Sequence, residues 1–291
     1  QGLYDFFGQT FCANQYGSEM IQPLVGKALL YLHKEKMIHF GKTFEATAFG
    51  HRVSELYVDP LSAVSLRDSL QKRANHLTNF SFLHMVCHTP DVYPKTYPRR
   101  REIDALSTFV DRHSDEFTVP IPEMWDNVAF GIFLGEVKAA TVLESWIRET
   151  SEDAIIERFS VLPGDLFRLA DSVDWLLYAS TEIGRLFGHR DLLPQLDLLR
   201  TRVTKGVKQE ILPLVKLRGI GRIRGRMLFN AGFTSIQELK RASLEQLTSI
   251  PTIGPQIAHR IKEQVGGYVK AEKWAQLKSR ELREQASIAE Y

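Results

Sequence analysis

The stretch DLFRLADSVDWLLYASTEIGRLFG, Asp165 to Gly188, decides how the chain is read. It follows Pro163-Gly164, and Asp165 is placed to cap a helix N-terminus. Leu166, Leu169, Val173, Leu176, Leu177, Ile183 and Phe187 recur at helical spacing and form one apolar stripe. At about 100° per residue, Trp175 falls on the face opposite that stripe. Arg168 precedes it by two turns on the same outer face. A large aromatic turned away from its own helix's core needs another partner. One candidate is a neighbouring helix in an all-α bundle. The other is an unstacked base, with the guanidinium stacking on a base or bonding a phosphate.

The surroundings of this helix are themselves helical. DPLSAVSLRDSL, FSFLHMVCH, RREIDALSTFVDRH, VAFGIFLGEVKAATVLESWI and SEDAIIERF each run at helical period between residues 59 and 200. Prolines 90, 94, 98, 120, 122 and 163 punctuate them. Arg99-Arg100-Arg101 is a basic cluster at a helix start, suited to solvent or to a phosphate.

Upstream, residues 1–58 read as helix, helix, hairpin, helix. MIHF and TFEAT flank Gly41-Lys42, which predicts a two-residue turn. This order suggests a winged helix, used either on a DNA groove or as a packing module between domains.

Downstream, residues 201–291 carry the most specific motif. LRGIGRIRGRMLFNAG, Leu217 to Gly232, places a Gly-hydrophobic-Gly hairpin between two helices. The pattern returns 33 residues later as SIPTIGPQIAHRI, with Ile253-Gly254 aligned on Ile220-Gly221. Two such units make a tandem helix-hairpin-helix. Gly219, Gly221 and Gly254 let backbone approach a phosphate, and the amides of the following helix face the anion. Arg222, Arg224 and Arg226 add charge at the first hairpin. Such a site binds backbone and reads no base sequence. The second hairpin departs from the pattern, with Thr252 where the first has Gly219. The alternative for both is a structural αα-corner. The tail, 268–291, is charged and helix-prone, with Trp274 and Leu277 as apolar anchors.

Charge supports a polyanion contact. From Arg200 to Tyr291 there are 18 Lys/Arg against 8 Asp/Glu; the other 199 residues hold 19 against 27. A net charge of +2 thus hides a basic C-terminal third on an acidic body. No apolar run approaches ~18 residues, so no membrane span is expected. Two cysteines, Cys12 and Cys87, make no disulfide framework, and no leader precedes them, so a cytoplasmic setting is expected. The chain opens on Gln1, which suggests a piece of a longer protein.

Several motifs are too incomplete to carry chemistry. Gly41-Lys42-Thr43 resembles the end of a phosphate-binding loop, but Lys36 stands where that loop needs glycine. His84, Cys87 and His88 lack a second ligand pair at zinc spacing. No Lys or Asp after the second hairpin is convincingly placed for the catalysis of a base-excision glycosylase. No catalytic set, metal or cofactor is expected in this chain.

The order of winged helix, bundle with an Arg-x6-Trp helix, and terminal helix-hairpin-helix resembles the C-terminal half of the archaeal superfamily-two DNA helicases of the HelQ type. The matching stretches are TAFGHRVSELYVDP, EVKAATVLESWIRETSEDAIIERF, PGDLFRLADSVDWLLYASTEI and GVKQEILPLVKLRGIGRIRGRMLFNAGF. The resemblance implies a mainly α fold in three domains, at 1–58, 59–200 and 201–291. It implies a parent enzyme that unwinds forked repair substrates 3′ to 5′, with ATP and magnesium held by two motor domains that this stretch lacks. It makes the Asp165–Gly188 helix a ratchet helix on the translocating strand, with Trp175 stacking on a base and Arg168 contacting the strand. The partners it implies are single-stranded or forked DNA and the chain's own motor domains, in a monomer. A stand-alone winged-helix regulator or repair scaffold is the rival expectation.

Overall fold

The computed structural model describes residues 2–41 and 43–267 together with Trp274 and Ser279. The reading of Leu277 and the rest of the tail lies outside these residues. The fold is mainly α, with one two-stranded hairpin among the described residues. No helix of the described residues is long and apolar enough to cross a membrane.

The N-terminal region opens with α1 (Gly2–Gly8), α2 (Phe11–Tyr16) and α3 (Ser18–Lys34). Thr10, whose side chain accepts from the Ala13 N–H, starts a new helix and divides what reads as one segment. Strands β1 (Ile38–Phe40) and β2 (Phe44–Ala46) follow. Phe40 pairs with Phe44, so the connection has three residues rather than the two expected. The Gly41 N–H donates to the Thr43 carbonyl across it at 3.2 Å. Helix α4 (Ala48–Leu56) completes a winged helix. Thr47 caps it, accepting from Gly50 N–H at 3.1 Å and donating to the Lys36 carbonyl at 2.7 Å. Gly50 is required there, because a Cβ would stand 2.0 Å from the Met37 carbonyl oxygen.

The bundle continues with α5 (Pro60–Lys72), α6 (Asn79–Cys87) and α7 (Ile103–Arg112). Pro60 sits in the first turn of α5, where its missing N–H costs nothing, and Asp59 caps it. Thr78 and Ser81 form a reciprocal capping box on α6. Then come α8 (Asn127–Ile147), α9 (Glu152–Phe159), α10 (Pro163–Leu186) and α11 (Leu193–Lys205). The C-terminal region holds α12 (Leu212–Val215), α13 (Arg222–Asn230), α14 (Ile236–Arg241), α15 (Leu244–Thr248) and α16 (Pro255–Gln264). Ser235 with Glu238, and Ser243 with Gln246, cap α14 and α15 by the same reciprocal device.

Two compact units result, and their boundaries fall within three helices, α8, α10 and α11. One comprises Gln1–Thr141 with Asp171–Asp197; the other comprises Val142–Ala170 with Leu198–Tyr291. The first buries Leu66, Leu70, Leu83, Met85, Phe133 and Val137 almost completely. The second is built on Ile211, Leu214, Leu228, Leu239, Leu247 and Ile261. Helix α10 begins at Pro163, two residues before the expected cap. Proline preset for the helical φ takes the first position, and Asp165 falls inside the first turn, where a carboxylate favours the helix dipole. Six residues of its predicted stripe are buried, at about 1.5–3 kcal/mol for each large side chain removed from water. Phe187 is the exception at 42% exposed, packing edge-on against Phe49 with ring centroids 5.1 Å apart.

Candidate nucleic-acid interface

The two glycine-led hairpins have the same backbone twist. Gly219 lies at φ +84° and Thr252, its counterpart, at φ +68°. Glycine enters this region freely; threonine does so at a cost. Gly221 is the N-cap of α13 and Gly254 the N-cap of α16, and neither helix start has a side-chain cap. Glycine at the cap offers the first-turn amides no side-chain acceptor, the condition that makes a helix start receptive to an anion.

Arg224 ties the hairpins together. Its Nη1 donates to the Gly219 carbonyl at 2.9 Å and its Nε to the Thr252 carbonyl at 3.1 Å. Gln264 locks the first hairpin to α16, accepting from Arg218 N–H at 2.7 Å and donating to the Arg218 carbonyl at 3.2 Å. Gly221, Arg222, Ile223, Arg224 and Thr252 line a cleft of about 350 Å³ between the two loops. Ile223 is 64% exposed at its rim. Neither Ile223 nor the Thr252 carbonyl was foreseen from sequence, because the hairpin repeat says nothing about which atoms the two loops share.

The other two arginines are engaged in the fold. Arg222 lies 4.0 Å over the Trp146 ring and donates to the Thr150 carbonyl at 2.8 Å. Burial pulls its basicity below the ordinary guanidinium value. Arg226 grips Glu149 with Nε at 2.6 Å and Nη2 at 2.8 Å, and Glu210 with Nη2 at 2.8 Å. Its hydrogen bonds to these carboxylates hold it charged more firmly than usual. Burial would push the Glu149 carboxyl up, but Arg226 and the Lys208 N–H outweigh it and hold the group low. The sequence displays three cations at the hairpin; the structure compensates one of them with two carboxylates and stacks another on an indole.

Trp146 is the pillar beneath. Its Nε1 donates to the Val203 carbonyl at 2.9 Å, and Phe167 meets it edge-on at 5.6 Å. Gly206, at φ +63°, passes so close that a Cβ would stand 2.3 Å from the indole. Lys262, buried on α16, donates to the carbonyls of Leu239, Lys240 and Ala242 and so caps α14 from outside. Trp274 stacks on His259 with centroids 4.2 Å apart.

On α10, Arg168 belongs to the second unit. Its side chain is 47% exposed and pairs with Asp165 at 3.3 Å. Trp175 belongs to the first unit and is partly buried. Its Nε1 donates to the Leu56 carbonyl at the end of α4, at 2.9 Å. Arg52 on α4 also pairs with Glu182 and reaches Tyr178 Oη at 3.5 Å. Within that unit the winged helix is thus bonded directly to the Trp175 helix. His84, Cys87 and His88 do not converge. His84 is buried among Phe80, Phe117 and Phe133, while His88 turns to Glu136 at 2.8 Å. Among the described residues no three His, Cys, Asp or Glu side chains could hold a metal ion.

Two family models match the chain: archaeal helicase, domain 4, over residues 80–206, and the SAM-like helix-hairpin-helix tandem over 211–266. Among curated proteins, the ATP-dependent DNA helicase Hel308 of Methanocella arvoryzae is 36% identical over 271 residues, covering 91% of this chain and 36% of the relative. Hel308 of Thermococcus kodakarensis is 36% identical, covering 91% of this chain and 24% of the relative. Hel308 of Pyrococcus horikoshii is 32% identical, covering 92% and 37%. The chain therefore spans about a third or less of the length of these curated relatives. The chain belongs to the archaeal superfamily-two DNA helicase family, as a counterpart of its C-terminal part.

Proposed function

We propose that this chain binds the single strand of a forked or branched DNA as the non-motor part of an ATP-dependent 3′–5′ helicase. The tandem helix-hairpin-helix carries the reading. Two uncapped helix starts, joined through Arg224, offer backbone amides to phosphates without reading sequence. The names of the relatives support it. Motor domains elsewhere in the parent protein hold ATP and magnesium. On this reading Gly219, Gly221 and Gly254 let the strand approach, and Arg222, Arg224 and Arg226 set the hairpin's shape and field. On α10, Arg168 contacts the strand and Trp175 stacks on a base, as a ratchet. The Leu56 bond fixes the indole's edge, which lowers the entropy lost on stacking.

The test is fluorescence-anisotropy titration of single-stranded, duplex and forked DNA with wild type and Trp175→Ala. Tighter binding of single-stranded or forked DNA, weakened in the variant, is expected. Duplex preference indifferent to Trp175 would instead favour a stand-alone regulator.

A further inference from the structure

A second basic depression lies in the unit that holds the hairpins. Arg148, Arg202, Lys208, Gln209 and Glu210 line an open cleft of about 500 Å³. The cleft forms where the end of α8 meets the end of α11 and the loop after it. Arg202 is its fixed point. Its Nε donates to the Val207 carbonyl and its Nη2 to the Ile147 carbonyl, each at 3.2 Å. Carbonyl oxygens orient a guanidinium but neutralise none of its charge. Arg148 lies at the rim, with 67% of its side chain exposed, and pairs with Glu144 at 2.8 Å. Lys208 and Gln209 are exposed. The one lining carboxylate, Glu210, is already held by Arg226 at 2.8 Å. Three cations thus line the cleft beside one lining carboxylate that is bonded to Arg226, with Glu144 paired to Arg148 at the rim.

We propose that this cleft seats a phosphate of the nucleic-acid strand, with Arg202 as its preset donor and Arg148, Lys208 and the Gln209 amide closing over it. The inference rests on the DNA-binding reading and adds a contact outside both hairpins. Burial lowers the Arg202 basicity and Arg148 adds to this, while Glu210, Glu144 and Glu149 partly offset it. A bound anion supplies the missing compensation. A guanidinium held at a fixed angle suits a phosphodiester, whose two free oxygens take paired N–H donors.

The experiment compares binding of a twenty-nucleotide oligo-dT to three proteins across a salt series. These are wild type, Arg148→Ala/Lys208→Ala, and a control, Lys240→Ala/Arg241→Ala, which removes two exposed charges from α14. Both cleft positions are exposed, so the thermal midpoint should stay at the wild-type value. The slope of log affinity against log salt should shrink by about 0.7 in the cleft variant, the value of one phosphate contact on a single strand. The control should retain the wild-type slope. An unchanged slope in the cleft variant, or an equal loss in the control, overturns the inference and leaves the hairpin reading standing. Absence of oligo-dT binding by wild type overturns both. Inorganic phosphate forms the last arm. It should displace the strand no better than chloride at equal ionic strength, and selective displacement would assign the cleft to free phosphate instead.

Discussion

Arg226 and Glu149 face each other as a two-pronged ion pair across 77 residues of sequence. The Glu149 side chain is 11% exposed and that of Arg226 25%, so water screens the pair only in part. Arg226→Ala leaves Glu149 without its main partner. It should cost about 2–3 kcal/mol, the scale of a lost charged hydrogen bond with desolvation. Replacing both residues with Leu or Met should cost less than Arg226→Ala alone. Urea unfolding of wild type, Arg226→Ala and the double replacement checks both statements.

The same pair gives a pH dependence. Glu149 is held below the ordinary carboxylate range in the folded chain, so the unfolded chain takes up its proton first as pH falls. Its stabilisation is complete above about pH 4.5, near the unfolded value, and disappears as pH falls through the lower folded one. Arg226→Ala should flatten the acid limb of stability against pH. An acid limb identical to wild type would remove Glu149 from this role.

His84 acts in a higher window. It is buried, its two ring nitrogens have no hydrogen-bond partner among the described residues, and burial keeps it well below the ordinary imidazole value. The folded chain holds it neutral, whereas the unfolded chain protonates it below about pH 6.5. Stability is therefore lost as pH falls below that value. His84→Leu should remove this slope and leave stability at pH 7.5 equal or higher, by up to about 1–3 kcal/mol for the unmade hydrogen bonds. Denaturant midpoints at pH 7.5 and 5.5 test both statements.

Trp175 separates packing from stacking. Trp175→Phe keeps an aromatic ring and loses the bond to Leu56, which should cost about 0.5–1.5 kcal/mol of fold stability. On the proposed reading it should retain more single-strand affinity than Trp175→Ala, which should lose roughly 1–3 kcal/mol per stacked base. Equal affinities in the two variants would remove base stacking from the indole's role.

The two hairpins predict opposite responses to one exchange. Thr252 pays for its left-handed backbone, so Thr252→Gly relieves strain of about 1–2 kcal/mol against a smaller entropic loss. It should leave the thermal midpoint unchanged or higher. Gly219→Ala adds the same strain, and its Cβ lies 3.3 Å from Arg260 Nη1, so it should lower the midpoint.

What the sequence made legible follows local rules. The buried stripe of α10 depends on residues within a few positions of one another, repeating at the helical period. The twin hairpins could be aligned because Gly221 and Gly254 occupy equivalent helix starts. Asp165 was misplaced by two residues, since either a capping carboxylate or a proline can open a helix and only packing chooses between them. Glu149 opposite Arg226, Trp146 beneath Arg222 and Leu56 against Trp175 were not legible. Each joins residues 76 or more positions apart, or a side chain to a backbone carbonyl, and neither leaves a periodic trace.

Arg224 has a further consequence. By bonding a carbonyl in each hairpin, it fixes the interval between the two anion-receptive loops. On the proposed reading, a strand gripped at one loop presents its next phosphates to the other at high effective concentration. The pair then acts as a chelating clamp: the strand is released slowly when both loops hold and quickly once either lets go. Cutting the Arg224 link, as in Arg224→Met, would raise the release rate far more than it lowers the rate of first capture.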